Sequence, residues 1–518
     1  MNKKINKEIN NVLTINGYPL DENQKEIVLD NTKHLLVTAG AGSGKSLTII
    51  GKIRFLIEIK KIKEDEIICI SFTNDATNNL KNKLKNNYNY NIPCYTFHKL
   101  GLEILKKDNY KISQTNTLNY IINEYFESII YIENENIKRV LNFLNIKYNN
   151  HNYITKYKNI NKLELEKIKK LIETFINLFK SNNNQNKDFI EFLKNIKENN
   201  KKIKTKYQDF LITTYYIYYI YQKELLSKKE IDFNDMISLA TKKVNENGYY
   251  KKVKFIIIDE FQDTSKVKLD LIQSILNKTN ANLLVVGDDF QSIYKFTGCD
   301  LNIFLNFTKI FKESKILKIE NTYRNSQELI KLAGNFIMKN KNQLKKNLKS
   351  NKHEKYPINI IYYKNIETAF IKLINKIYKE TKNPILIIGR NNFDINIITK
   401  NKNFKLEKDS LIYLNNKNIK MKYLTAHRSK GLEEENVILI NLTNNKLGFP
   451  NKIENHEILN LITPKTEKYK YAEERRLFYV AITRTKNKNY LLVNKKNESI
   501  FVKELKKDYK KYIKIIKL

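Results

Sequence analysis

Four short apolar runs mark the first three hundred residues: 35–37, 67–70, 255–258 and 283–286. Each is too short for a buried helix and reads as a strand covered on both faces. The first run leads into AGAGSGKS at 39–46, and LTIIGKIRFLIEI after it is helix-permissive. A strand, a glycine-rich turn and a helix start are therefore predicted in succession. A second set of strand-like runs, 358–362, 385–388, 437–440 and 490–493, alternates with helical segments, which predicts a second α/β unit from about 301 to the end. Residues 105–212 differ: they are rich in Lys, Asn and Ile with helical apolar spacing, and they contain the polar break SNNNQNK at 181–187. They read as a helical insertion. The tyrosines Tyr215, Tyr216, Tyr218, Tyr219 and Tyr221 that follow stand at helical spacing and read as packing. The predicted organisation is a first α/β domain in two parts, 1–104 and 213–300, interrupted by the insertion 105–212, then a second from 301 to 518.

Composition narrows the class. A chain of 518 residues is too long for one core. Its 94 Lys and Arg against 55 Asp and Glu leave +39, a balance that favours a polyanionic partner, although an AT-rich genome would write the same Lys- and Asn-rich bias. Only eight of the 94 are Arg, and five of those, Arg324, Arg428, Arg475, Arg476 and Arg484, lie in motif-like segments. A chain that has drifted to Lys is expected to keep Arg where a planar, always-charged fork is needed. Three cysteines with no CxxC pair point to free thiols. No run approaches the length of a membrane span, and the N-terminus lacks a secretory pattern, so a soluble, cytoplasmic protein is expected, nucleoid-associated in a bacterium, with no membrane partner.

The glycine-rich turn is the first candidate site. A helix N-terminus among small residues offers free backbone N–H groups to a phosphate, and Lys45 adds a point charge. The strict GxxxxGKS/T spacing would have Gly where this chain has Ala39. FIIIDEFQDT at 255–264 delivers Asp259 and Glu260 at the end of a buried strand, where a metal-binding acid and a catalytic base belong in a nucleoside triphosphatase. Together they favour ATP hydrolysis.

Ten segments now stand in order: LDENQ, AGAGSGKS, SFTND, TFHKLG, IDFNDMI, DEFQDTS, VGDDFQSIYKFTG, TYRN, TAHRSKGLE and EERRLFYVAITRT. In this order the chain resembles the UvrD/Rep-type superfamily 1 DNA helicases, with wording nearest the helicase IV branch. The resemblance implies two RecA-like domains with a nucleotide cleft between them. It implies that Ala39, Gly40, Ala41, Gly42, Ser43, Gly44 and Lys45 hold the phosphates of ATP, that Ser46 and Asp259 share Mg2+, and that Glu260 is the base. Gln291 would touch the γ-phosphate, and Arg324 and Arg484 would act as arginine fingers. Gln24 matches the adenine-reading glutamine, Tyr323 the base-stacking aromatic and Glu433 the ribose-side carboxylate. Gln24 and Glu433 also have a plain reading as capping or surface residues. For single-stranded DNA and its junctions with duplex, Phe72, Thr73, Asn74, Thr96, His98, Tyr294, Phe296, His427 and Arg428 match contact positions. A loading or repair protein is a further partner of the class. The implied function is a single-strand translocase and 3′ to 5′ helicase in repair, replication or recombination.

Departures from the family pattern carry their own expectations. Leu47 replaces an Arg beside the adenine, Phe296 replaces a Trp, and Asp75 stands at a frequent Lys. Only about 100 residues separate TYRN from TAHRSKG, so the family's second insertion domain is expected to be missing or vestigial. The rival readings are a helicase–nuclease subunit, a non-enzymatic binder on the same fold, a triphosphatase that needs a partner for unwinding, and an RNA or defence-system helicase. The first would need a carboxylate cluster within the roughly 30 residues after the last motif.

Overall fold

The computed structural model describes the chain apart from residues 1, 114–115, 195, 197–199, 464–466, 468 and 518, and residues 2–6 by backbone alone. The first sheet holds β1 (His34–Ala39), β2 (Ile67–Ser71), β3 (Cys94–Thr96), β4 (Phe255–Ile258), β5 (Asn282–Gly287) and β6 (Ser314–Ile319). Their order is β6-β1-β5-β4-β2-β3, parallel throughout. Successive residues of the apolar runs face opposite sides: Leu36, Ile68, Ile256 and Leu283 enter one core, Leu35, Ile67, Ile257 and Leu284 the other. Burial on both faces is why these runs are continuous rather than alternating. Since β1, β5 and β4 are neighbours, the segments after Ala39, Gly287 and Ile258 emerge side by side at the carboxyl edge, where α/β sheets hold ligands.

The second sheet holds β7 (Ile358–Tyr363), β8 (Ile385–Gly389), β9 (Phe404–Glu407), β10 (Ser410–Tyr413), β11 (Met421–Thr425), β12 (Glu434–Leu439), β13 (Thr485–Asn494) and β14 (Ile513–Ile516). In the order β9-β10-β11-β8-β12-β13-β7-β14 it is parallel except for the hairpin β9/β10 and its antiparallel pairing with β11. Between Asn325 and Thr425 the main elements are the helices Gln327–Met338 and Ile366–Thr381 and the strands β7 to β11. The second sheet thus uses the interval in which a second insertion would lie.

Two expected boundaries move. Strand β6, SKILKI, pairs with β1 from Ser314↔His34 to Ile319↔Ala39, so the first sheet runs beyond 300. It is an edge strand with Lys315 and Lys318 exposed, and its mixed polarity lacks the apolar run by which the inner strands were read. The 212/213 boundary falls inside one helix, Lys201–Ser227, that belongs to the insertion over its whole length. There Tyr218 and Tyr221 are buried with Phe175, Phe179 and Phe189, as the packing reading requires, while Tyr216 and Tyr219 on the other face are exposed.

The insertion is held from both sides. The Lys180 ammonium is buried against Asp232 and Asp235, the latter at 2.8 Å, which belong to the IDFNDMI segment of the first domain. From the second domain the 3-10 helix Glu457–Leu461 crosses over and puts Ile458, Leu459 and Ile462 into the insertion's core. Tyr207 donates to Glu457 at 3.0 Å at the same crossing.

Candidate active site and nucleic-acid groove

Strand β1 turns at Gly40 and the chain enters the helix Lys45–Arg54 through Gly44. Gly42 and Gly44 have φ of 70° and 80°, the left-handed region that glycine adopts without strain. Space makes the same demand: a Cβ on Gly42 would lie 2.3 Å from Cβ of Arg324, and one on Gly44 2.7 Å from Nε2 of Gln24. The buried Ser43 hydroxyl has no hydrogen-bond partner among the described residues. A helix N-terminus, two glycine turns, an orphan hydroxyl and an ammonium together form a cradle that fits a phosphate.

Asp259 and Glu260 follow β4 directly opposite. Lys45 Nζ is 2.7 Å from Glu260 Oε1, and Gln262 Nε2 donates to Glu260 Oε2 at 2.6 Å. Burial opposes the Lys45 charge, but Glu260, Asp259 and Asp288 outweigh it and raise its pKa. Burial likewise opposes the Glu260 charge, and Lys45 and Lys430 overcome it, holding the carboxylate well below its ordinary range. Asp259 is different: burial and the adjacent Glu260 push it up to about 6. Its carboxylate accepts the Glu260 N–H at 2.9 Å, and no lysine or arginine of the described residues forms an ion pair with it. A partly buried, under-neutralised carboxylate fits a hard divalent cation, and Ser46 is exposed at the start of the helix.

The far wall comes from the segments 322–325, 430–433 and 483–484. Thr322 Oγ1 donates to the Ala41 carbonyl at 2.7 Å and Tyr323 N to the Gly42 carbonyl at 3.0 Å, so TYRN lies along the loop. Arg324 Nε donates to Glu433 at 2.6 Å, and Lys486 lies 3.3 Å from the same carboxylate. Arg484 is buried and donates to Gln291 Oε1 at 3.3 Å, to Val480 O at 2.9 Å and to Leu432 O at 3.2 Å. Burial and the nearby Arg324 lower it to about 9. Gln24 both closes a capping box with Asp21 on the helix Glu22–Leu29 and donates from Nε2 to Ser43 O at 3.3 Å. Its capping and loop-side roles coexist. The half-exposed Tyr323 ring stands beside it, its hydroxyl on Asp21 at 3.0 Å.

Two further clusters lie away from the cleft. Phe72, Thr73, Asn74, Thr96 and His98 line one groove of about 430 Å³ with Phe233, whose exposed ring sits 5.1 Å from His98. Thr73 and Thr96 accept the backbone N–H of Ala76 and Lys99 and so cap the helices that wall the groove. Phe97, packed edge-on to Phe72, is buried and offers no stacking face. Where the domains meet, Phe296 stands 59% exposed with His427 at 5.5 Å and Tyr294 at 6.1 Å between ring centres. The three rings form a platform of the kind on which bases stack.

Residues 20–312 match the UvrD/REP helicase N-terminal domain. This chain belongs to the UvrD/Rep helicase family. It is 30% identical over 397 residues to the ATP-dependent DNA helicase Rep of Buchnera aphidicola subsp. Schizaphis graminum, covering 74% of this chain and 54% of that one. Against the ATP-dependent DNA helicase PcrA of Bacillus subtilis it is 27% identical, over 66% of this chain and 42% of the relative. The PcrA of Leuconostoc citreum is 26% identical over 64% and 40%. The chain therefore spans about half the length of the curated relatives it matches.

Within this UvrD/Rep chain the loop, Asp259, Glu260, Gln291, Arg324, Arg484, Gln24, Tyr323 and Glu433 gather at one cleft. Arg428 pairs with Asp409 of the hairpin through two hydrogen bonds of 2.9 and 2.8 Å and stays more than half exposed. Arg475 and Arg476 keep their forks for the fold, on Glu504 and Phe336 O and on Glu467 and Ser292 O. Two lysines were missed. Lys430, inside TAHRSKGLE, bonds Asp263 at 2.5 Å and the Gln291 carbonyl at 2.9 Å. Lys346 carries no motif signal in a lysine-rich chain. Phe233 was legible only as part of IDFNDMI.

Proposed function

We propose that this chain is an ATP-dependent translocase on single-stranded DNA, acting in the 3′ to 5′ direction on strands and strand–duplex junctions in repair, replication or recombination. The observation that carries the reading is the bond from Arg484 of the second domain to Gln291 of the first, 3.3 Å long, beside the phosphate cradle. A guanidinium so placed stabilises charge on a transferring phosphoryl group only while the domains are closed, which ties turnover to domain motion. Lys45 and the loop N–H groups bind the phosphates, and Glu260 takes the proton of the attacking water. Ser46 and Asp259 would hold Mg2+, which supplies charge neutralisation on the phosphate oxygens when bound. Opening and closing shifts the grip between the Phe72–His98 groove and the Tyr294–Phe296–His427 platform.

The second sheet's use of residues 325–425 favours a related reading, in which the chain hydrolyses ATP and moves along a strand but depends on a partner for long duplexes. The test is steady-state ATPase with single-stranded DNA, single-stranded RNA and neither. Marked stimulation by DNA alone supports the proposal; equal or greater stimulation by RNA moves the chain to the RNA or defence reading, and no turnover rejects the enzyme.

A further inference from the structure

Lys346 lies on the extended segment that returns from the helix Gln327–Met338 toward the first domain. Its side chain is buried. The ammonium pairs with Asp288 and, at 2.6 Å, with Asp289, and it stands 4.1 Å above the Phe290 ring and 3.5 Å from the carbonyl of Ala39. Its own segment is locked to the same region. Leu344 N donates to Asp289 Oδ2 at 2.8 Å, Lys349 N to Glu320 O at 2.8 Å, and Leu348 occupies the space where Gly40 would carry a Cβ.

The Asp288 carboxylate has three partners on its two oxygens. Oδ1 faces Lys346 and also accepts the Phe290 N–H at 3.1 Å, while Oδ2 accepts Gln291 Nε2 at 2.6 Å. The bond on Oδ2 leaves the other end of the Gln291 amide, Oε1, pointing at Arg484 at 3.3 Å. An amide held at its NH2 end by a carboxylate can present only its oxygen to the guanidinium. The order Lys346, Asp288, Gln291, Arg484 therefore runs unbroken from beneath the glycine-rich loop to the second domain's arginine.

We propose that Lys346 is a positioning residue for turnover: by fixing Asp288 it orients Gln291, and through Gln291 it aligns Arg484 with the phosphate cradle. The proposal rests on the ATP-hydrolysis reading above. Among the described residues the Lys346 ammonium bonds Asp288, Asp289 and the backbone carbonyl of Ala39, which places it to act through Asp288. Burial opposes its charge, and Asp288 and Asp289 overcome that opposition and raise its pKa, so the pair stays ionic. An uncharged side chain at 346 leaves Asp288 Oδ1 held by the Phe290 N–H alone, without its cation, so that Asp288 can shift and the amide of Gln291 with it. A lysine serving only to neutralise two carboxylates would affect folding and leave turnover alone.

The test uses the full chain with Lys346→Met and Asp289→Asn combined, which removes one positive and one negative charge together. Folding is followed by near-ultraviolet circular dichroism, nucleotide affinity with a fluorescent ADP, and turnover with single-stranded DNA. The expected result is a folded protein with affinity within about threefold of wild type and kcat lowered by roughly 100-fold or more, in the range for a lost transition-state contact. Adding Gln291→Ala to the double variant is expected to cost little further, because both act on one path. A folded double variant with kcat within about threefold of wild type would overturn the proposal. So would loss of folding, since the lysine would then hold the domain together without aligning the glutamine. Absence of ATPase in the wild-type chain instead rejects the hydrolysis reading itself.

Discussion

Lys45 and Glu260 form a 2.7 Å ion pair beside the glycine-rich loop. In the proposed reaction this joins the phosphate-binding cation to the base, so nucleotide would have to part them. Lys45→Ala is expected to abolish DNA-stimulated ATPase while leaving single-strand affinity within about threefold, as is Glu260→Gln, with an acid–base loss of roughly 10² to 10⁴ in kcat. Steady-state ATPase and filter binding measure the two effects. Unchanged turnover in either variant defeats the assignment.

The Arg484 side chain donates four hydrogen bonds, and among the described residues only the one to Gln291 reaches the first domain. Lysine cannot reproduce that fork. Arg484→Lys is therefore expected to lower kcat by roughly 10² to 10³ with nucleotide affinity little changed. A parallel loss of affinity would instead mark the arginine as a ground-state contact.

The exposed Phe296 ring should carry part of the strand affinity. Removing it in Phe296→Ala is expected to weaken single-strand binding by about 1–3 kcal/mol, and Phe296→Trp to strengthen it. Fluorescence anisotropy reads both. Affinity is also expected to fall steeply as salt rises, because lysines dominate the surface.

His98 and His427 are both pushed down to about 4, first by burial and then by Lys268 and Arg390 respectively. The unfolded chain takes up these protons as pH falls through the ordinary value of 6.5, the folded chain only near 4. Their contribution to stability is therefore complete above about 6.5 and lost progressively below it. Urea unfolding at several pH values is expected to show this decline, and a His98→Gln, His427→Gln variant to flatten it. An identical slope in the variant counts against the buried neutral histidines.

With the second sheet occupying the interval between Asn325 and Thr425, strand displacement is expected to be weak on long duplexes while translocation is retained. A displacement assay with monomeric protein on short and long duplexes separates the two. Efficient unwinding of the long substrate rules the expectation out.

The chemistry was legible where it is local. Gly42 and Gly44 announce a turn that only glycine fits, and the run 255–258 delivers Asp259 and Glu260 at a strand end whatever its neighbours are. The edge strand β6 was not legible, because one face of an edge needs no apolar residues. Nor was the core of the insertion, since Ile458, Leu459 and Ile462 complete it from a segment more than two hundred residues away.

Sequence alone determined the elements, their glycine turns, the cleft's acids and the ten-segment order, because backbone preference, burial pattern and motif spacing are properties of adjacent residues. Tertiary structure decided the strand order that sets β5 between β1 and β4, the pairing of Arg428 with Asp409, and the selection of Lys346 and Lys430 from 86 lysines. Such pairings depend on which distant segments the fold brings together. Lys346 looks like any other lysine until Asp288 and Asp289 close around it.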